Sequence, residues 1–232
     1  MSPAPPPDRI PPISRDFLIV GEGQGDAAFV RYLCATRKID ISNFQIEDAG
    51  GTGKFEAYIS GLRFRPKFDL TKGLLIVGDN DDSPDENFSN IQNHLKKGKL
   101  PRPAQRLQVA KHTADGLAVV VMMLPYTSGG GATRGSLETL LLKSVNDSYP
   151  AIGTCIDTYR GCIPAKGRTN NQEDKFRLRC FLTALWVDEP NISLQYAVSP
   201  SKELIDLNHE CFNEVAAFLR GFANLCTTPA RV

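Results

Sequence analysis

The sequence predicts an α/β fold, a mostly parallel four-stranded sheet flanked by helices, with a mostly helical C-terminal extension. The first observation is that short apolar runs alternate with segments whose apolar residues recur at helical spacing. The second is their order, strand then helix, which favours parallel pairing through right-handed crossovers. The third is length, because 232 residues suffice for one domain with a substantial core. The predicted strands are 16–20, 44–50, 73–79 and 117–125.

Each element has its own signal. The first, third and fourth strands are uninterrupted apolar runs, as expected of strands covered on both faces, whereas the second alternates apolar and polar residues. Residues 201–222 carry a strongly periodic amphipathic pattern, and residues 146–170 read mostly as loop. The predicted helices are 26–38, 54–65, 86–97, 135–145, 171–187 and 201–222.

These elements divide the chain into three parts. Residues 1–14 are rich in proline, which removes backbone donors, and are predicted to be disordered or extended. Residues 15–145 form the sheet domain. Residues 146–232 are expected to be a helical extension that packs on the same domain.

Composition excludes several classes of function. A net charge of +1 gives no overall field, so any site for a polyanion must come from local clustering. The longest apolar runs, such as 116–125, reach about half the length of a bilayer span, and the N-terminus lacks a signal-peptide core. We therefore expect a cytoplasmic protein without membrane contact. Six cysteines without a CxxC pair argue against both a disulfide framework and a zinc site.

The glycine-rich turn "GEGQGD" after the first strand does not suit a phosphate. A dinucleotide-binding turn needs glycine where Asp26 stands, and Glu22 adds a second negative charge beside a helix N-terminus. Dinucleotide binding nevertheless stays a minor alternative, because Glu47 or Asp48, at the end of the second strand, could serve as the ribose-binding acid. The segment "DAGGTGKF", 48–55, lacks both the first glycine and the Ser or Thr of a P-loop.

Acidic residues instead follow the strands. The carboxyl ends of parallel strands share one edge, so Glu22 and the Asp79/Asp81 pair are expected to converge there. Converging carboxylates repel one another unless a cation neutralises them, and oxygen ligands select a hard ion such as Mg²⁺ or Mn²⁺. Asp85 and Glu86 fit better as acids in the first turn of the next helix.

A third feature follows the fourth strand. Glycines 129–131 and Gly135 form a loop at the same edge, and Glu138 lies one turn into the helix beyond it. Because its neighbours Leu137, Leu140 and Leu141 are typical of a core, the pattern leaves the direction of Glu138 open.

The motifs "VGEGQGD", "IVGDNDD" and "LPYTSGGGATRGSLETLL", in this order, resemble the TOPRIM domain of topoisomerases, primases and OLD-type nucleases. The likeness is greatest to stand-alone bacterial TOPRIM-like proteins, covers residues 16–142 and extends to Lys175. It implies a TOPRIM-like fold, metal ligands and catalytic residues. The implied metal ligands are Glu22, Asp26, Asp79, Asp81 and Glu138, and the implied catalytic residues are Glu22, Asp79, Asp81 and Lys175.

The expected function is therefore Mg²⁺- or Mn²⁺-dependent phosphodiester hydrolysis on DNA or RNA. One alternative is a non-catalytic metal- or nucleotide-binding module of a larger defence or repair complex. Another is a small-molecule phosphotransfer enzyme, although its aspartate would be expected after the first strand. A homodimer or a partner protein is also left open. Candidate polyanion-binding residues are Lys96, Lys97, Lys99, Arg102, Arg106, Lys111, Lys175, Arg177 and Arg179.

Overall fold

The computed structural model describes residues 12–112, 116–126, 133–163 and 167–228. Its strands are β1 (Phe17–Gly21), β2 (Phe44–Asp48), β3 (Gly73–Asp79), β4 (Ala110–Lys111) and β5 (Ala118–Leu124). They form one mostly parallel sheet in the order β2-β1-β3-β5-β4. The expected α/β class is thus confirmed.

Helices cover both faces of the sheet, each with its own core. The α-helices are α1 (Gln24–Thr36), α2 (Thr52–Gly61), α3 (Pro84–Lys97), α4 (Leu137–Ser148), α5 (Pro150–Cys162), α6 (Asn170–Leu185), α7 (Leu194–Ala197) and α8 (Asn213–Thr227). Side chains on one face of the sheet, such as Ile19 and Val77, pack with α1, α4, α6 and α8. Those on the other face, such as Val20 and Ile76, pack with α2 and α3. Single 3-10 turns span Leu62–Phe64, Phe68–Leu70, Pro200–Lys202 and Glu210–Phe212.

The predicted number of strands was wrong by one. The additional strand, β4, is only two residues long and pairs antiparallel with β5 at the edge of the sheet. A strand of two residues is too short to produce a periodic pattern in the sequence.

The prediction that residues 146–170 are mostly loop was also wrong, because α5 occupies Pro150–Cys162. Pro150 stands in its first turn, where proline is favoured since that position needs no amide donor. Of its residues only Gly153 and Ile156 are buried. A helix that buries so little leaves almost no apolar periodicity to detect.

The single helix expected at 201–222 does not form in its first half. The helix proper, α8, begins at Asn213. Arg37 explains the irregular half, because its guanidinium donates to the carbonyls of Leu207 and His209, both at 2.8 Å. Glu203 adopts a left-handed conformation with φ of 54°, which also interrupts a helix. The apolar pattern therefore reports burial and not helical geometry.

Much of the expected N-terminal segment, residues 1–11, lies outside the described residues. Ile13, by contrast, is 2 % exposed and belongs to the core beneath α2 and α3. Its amide donates to Pro66 O at 3.0 Å, so the chain is already part of the fold at this point. Among the described helices, none combines the length and apolarity needed to span a bilayer.

Candidate functional site

The carboxyl ends of β1 and β3 form the centre of the candidate site. The chain leaves β1 toward β2 on one side and leaves β3 toward β4 and β5 on the other, so the connections diverge between β1 and β3. Open α/β sheets bind ligands in the crevice at such a point. Gly21 pairs with Val77, two residues before Asp79, which brings the residues after β1 beside the end of β3.

The turn from β1 into α1 is closely packed. A Cβ on Gly21 would come within 2.8 Å of Ala27 N, so only glycine fits there. Asp26 lies in the first turn of α1, is 8 % exposed, and accepts a hydrogen bond from Gly23 N at 2.8 Å. This carboxylate therefore faces inward, toward the end of the sheet.

Glu22 lies directly after β1 and is held from two sides. Its amide donates to Val77 O at 3.1 Å, which extends the strand ladder by one residue. The Thr52 hydroxyl, at the start of α2, donates to Glu22 Oε1 at 2.5 Å. The side chain of Glu22 thus lines the crevice between β1 and α2.

Asp79 and Asp81 are fixed by the segment that leads into α4. Leu137 N, at the start of α4, donates to Asp79 Oδ1 at 2.9 Å. Asp81 is left-handed, with φ of 47°, and exchanges two backbone hydrogen bonds with Gly135 at 2.5 and 2.8 Å. Gly135 itself has φ of 122°, a conformation that favours glycine. Gly135 is therefore tied to the D-x-D segment, whereas glycines 129–131 of the predicted loop lie outside the described residues.

Two further predicted residues approach from the helices. Glu138, one residue into α4, accepts a hydrogen bond from the Ser136 hydroxyl at 2.7 Å. Lys175, on α6, places Nζ 3.9 Å from Asp81 Oδ1. Glu138 and Lys175 also line one small cavity of about 230 Å³, so α4 and α6 meet at this point.

The five carboxylates interact with one another, and we call them the acidic cluster (Glu22, Asp26, Asp79, Asp81 and Glu138). Burial raises the pKa of Asp79 well above its usual range, and the other four members of the cluster raise it further. The pKa of Asp26 is raised to about 7, mainly by burial. Its hydrogen bond from Gly23 lowers the pKa, whereas the charges of Glu22 and Glu138 raise it. The structure thus brings all five predicted acids to one place.

Lys175 supplies positive charge to the acidic cluster. Burial by itself would lower the pKa of this ammonium, but the surrounding carboxylates, with Glu138 foremost, outweigh burial and raise it. Burial also raises the pKa of Asp81, against the opposing influence of Lys175. Lys175 therefore places one positive charge beside the acidic cluster.

A cleft of about 440 Å³ opens onto the acidic cluster from the side of α2 and α3. Glu22, Asp79 and Asp81 lie on its wall. The rest of its lining is Thr52, Gly53, Phe55, Glu56, Asn87, Asn90, Ile91 and His94. The cleft is thus acidic and polar, and large enough to admit a small polar group to the cluster.

Other acids singled out in the sequence lie outside the cluster. Glu47 forms an ion pair with Arg65 at 2.5 Å, and Asp48 accepts a hydrogen bond from Gly50 N at 3.0 Å. Asp85 pairs with Arg106 at 2.9 Å, in the first turn of α3. These carboxylates stabilise local structure.

Some of the predicted polyanion-binding residues form ion pairs or hydrogen bonds within the chain. Lys97 pairs with Glu56 at 2.5 Å, and Arg179 donates to Ile192 O at 2.5 Å. Arg177 forms an ion pair with Asp157, and Lys111 donates to Thr228 O. These residues are less available to a polyanion than their number suggests.

Asparagines at the site were not anticipated. Asn87 on α3 donates Nδ2 to Asp81 Oδ2 at 3.3 Å, and Asn171 on α6 donates Nδ2 to Asp81 Oδ1. The "TNNQ" segment around Asn171 carries a helix-capping signal, because Thr169 and Gln172 cap α6 reciprocally. That signal locates the start of a helix but does not reveal which residues the helix contacts.

The donor set suits a hard cation in its chemistry. All five cluster members offer carboxylate oxygens, which Mg²⁺ and Mn²⁺ prefer, and their mutual repulsion would be relieved by positive charge. Over the described part of the chain, however, no three His, Cys, Asp or Glu side chains stand in an arrangement that could hold a metal ion. The residues fit by type and neighbourhood, and ligation would require their side chains to draw together.

Comparison with known proteins defines the family. The model of a family described as a protein of unknown function, DUF3226, matches residues 16–224. The chain belongs to the DUF3226 family. The match begins one residue before β1 and extends into α8, so it includes the sheet, the acidic cluster and the C-terminal helices. No curated protein and no solved structure matches the chain.

Proposed function

We propose that this DUF3226 chain is a Mg²⁺- or Mn²⁺-dependent, TOPRIM-type nuclease that hydrolyses phosphodiesters in DNA or RNA. The observation that carries the proposal is the acidic cluster, five carboxylates from separate segments gathered at the carboxyl edge of a parallel sheet. Its members are the residues that the TOPRIM resemblance implies.

The electrostatics of the cluster support a cation site. Buried carboxylates that raise one another's pKa indicate a lack of positive charge, which Lys175 alone does not offset. Glu22, Asp79 and Asp81 would hold the cation from the cleft side, with Asp26 and Glu138 behind them. When bound, such an ion polarises a phosphate oxygen and makes water a better nucleophile at neutral pH.

The other side chains suit phosphodiester hydrolysis. Lys175 is half-exposed beside Asp81 and can bind a phosphate oxygen of the substrate. Alternatively to binding the cation, Glu22 is suited to act as general acid or base, because it lines the cleft and is held by Thr52.

The test is a nuclease assay with Mg²⁺ or Mn²⁺ on single- and double-stranded DNA and on RNA. We expect Glu22→Gln and Asp79→Asn each to reduce cleavage by about 100-fold or more, since each removes a group from the reacting centre. Glu86→Gln is the matched control, because Glu86 belongs to the same acidic tract but is an exposed residue of the first turn of α3. Cleavage at the wild-type rate in both cluster variants would contradict the proposal.

A second candidate is a non-catalytic metal- or nucleotide-binding module. It is favoured by the engagement of predicted basic residues within the chain, such as Lys97 with Glu56 and Arg177 with Asp157, because fewer charges are then available to a nucleic acid. This candidate predicts that Mn²⁺ raises the melting temperature of the wild type but not of Asp79→Asn, with no cleavage by either. Turnover that Asp79→Asn abolishes would exclude it.

A further inference from the structure

Asn171 is the most buried polar side chain that α6 contributes to the site, with 7 % exposure. Its side-chain Nδ2 donates to Asp81 Oδ1, and its backbone N–H donates to Asp82 Oδ1 at 3.3 Å. One residue of α6 therefore contacts two consecutive acids that lie about 90 positions earlier in the chain.

Helix capping does not account for this side chain. Thr169 Oγ1 accepts a hydrogen bond from Gln172 N at 3.3 Å, and Gln172 Oε1 accepts one from Thr169 N at 3.1 Å. The start of α6 is thus capped without Asn171. Its buried side chain contacts Asp81 instead.

The remaining polar atom of Asn171 has no partner among the described residues. Its Oδ1 is inaccessible to solvent and accepts no hydrogen bond from any residue that the structure describes. A buried carbonyl left unsatisfied costs about 1–3 kcal/mol, so such atoms usually bind ordered water or an ion. This orphan oxygen is in the amide group whose nitrogen already contacts the acidic cluster.

Resting on the cation site proposed above, we propose that Asn171 is a positioning residue of that site. Its Nδ2 holds the Asp81 carboxylate in place. If the acidic side chains drew together around a cation, the buried Oδ1 would gain a donor, because hard cations such as Mg²⁺ retain several waters when bound to protein. Groups that orient metal ligands in this way contribute measurably to affinity.

The experiment is a Mn²⁺ titration of the full chain, followed by electron paramagnetic resonance, with unfolding measured in parallel. Asn171→Leu is the main variant, because leucine has nearly the same shape and carries neither donor nor acceptor. Asn171→Ala removes the same atoms with less volume. Asn170→Ala is the matched control, since Asn170 is the same residue type in the same turn of α6 but is exposed.

We expect both Asn171 variants to weaken Mn²⁺ binding by about 10–100-fold and Asn170→Ala to leave it unchanged. Asn171→Leu should keep the wild-type midpoint of unfolding in the absence of cation, because it also removes the unsatisfied carbonyl. A purely structural role for Asn171 would lower that midpoint and leave the affinity of the folded protein unaltered.

The outcomes separate this inference from the function on which it rests. Wild-type affinity in Asn171→Leu, with Mn²⁺ still bound, would overturn the role of Asn171 and leave the cation site intact. Absence of Mn²⁺ binding by the wild type would overturn both. Should Asn171→Ala fail to fold, Asn171→Leu decides the question.

Discussion

Burial of Asp26 in the site makes the stability of the protein depend on pH. Its carboxyl is buried in the turn after β1, and burial raises its pKa to about 7. In the unfolded chain the pKa of an aspartate is about 3.9. Between these values the unfolded chain has lost the proton and the folded chain still holds it. The free energy of unfolding contributed by Asp26 therefore falls as pH rises from about 4 to 7, and stays low above that range.

Asp26→Asn should remove this dependence. The amide can still accept the hydrogen bond from Gly23 N, but it carries no charge to bury. In the presence of EDTA we expect the variant to be more stable than the wild type at pH 8 by roughly 1–3 kcal/mol, with little difference at pH 4.5. Urea unfolding at both pH values measures this. Asp188→Asn, at an exposed position between α6 and α7, is the control, and equal pH dependence in Asp26→Asn and the wild type would contradict the account.

The sequence allowed the acids of the site to be predicted, but not its amides. Glu22 and Asp79 immediately follow buried strands, and parallel strands end at one edge, so their convergence follows from topology. Asn171 has no such signal, because its approach to Asp81 depends on how α6 packs in three dimensions. The closing of the D-x-D segment onto Gly135 is likewise a tertiary contact. Side chains placed by packing between distant elements are not encoded in local patterns.

Arg37 stabilises the irregular backbone of the segment between α7 and α8. Its guanidinium, on the residue that follows α1, satisfies the carbonyls of Leu207 and His209. Side chains such as Leu204 and Leu207 are nevertheless buried against the core, at 5 % and 3 % exposure. Helical spacing of apolar residues therefore coexisted with an irregular backbone, which is why the prediction of one long helix failed.

Arg37→Ala should loosen this segment. Two partly buried carbonyls would lose a charged donor, and we expect the free energy of unfolding to fall by about 1.5–3 kcal/mol. Arg31→Ala is the comparison, because Arg31 also donates to a carbonyl, Ile46 O at 3.1 Å, but at an exposed position. It should cost about 0.5 kcal/mol or less. Chemical denaturation of the two variants measures the difference, and equal losses would show that Arg37 does not hold the segment.

The C-terminal helices share a core with the sheet. Phe222 on α8 is fully buried, and its ring lies 5.9 Å from that of Phe17 and 6.0 Å from that of Phe44. Phe181 of α6 belongs to the same core. The expectation of helices against a sheet followed from amphipathic patterns, but the particular partners of α8 could not be read from the sequence.

This shared core predicts cooperative unfolding. Phe222→Ala should lower the free energy of unfolding by about 3–5 kcal/mol, because it leaves a cavity between α8 and two strands. Phe64→Ala, at a ring that is 89 % exposed, should have almost no effect. Calorimetry should show a single transition in both variants. A second transition in Phe222→Ala would mean that the helices unfold independently of the sheet.

The proposed function requires the acidic cluster to hold a divalent cation. The most direct test is an anomalous difference map from crystals soaked in Mn²⁺. We expect a peak within about 2.5 Å of carboxylate oxygens of both Asp79 and Asp81, and no peak there in Asp79→Asn crystals. A wild-type map with no peak among the cluster residues, under conditions in which the cleft is open to solvent, would contradict the account.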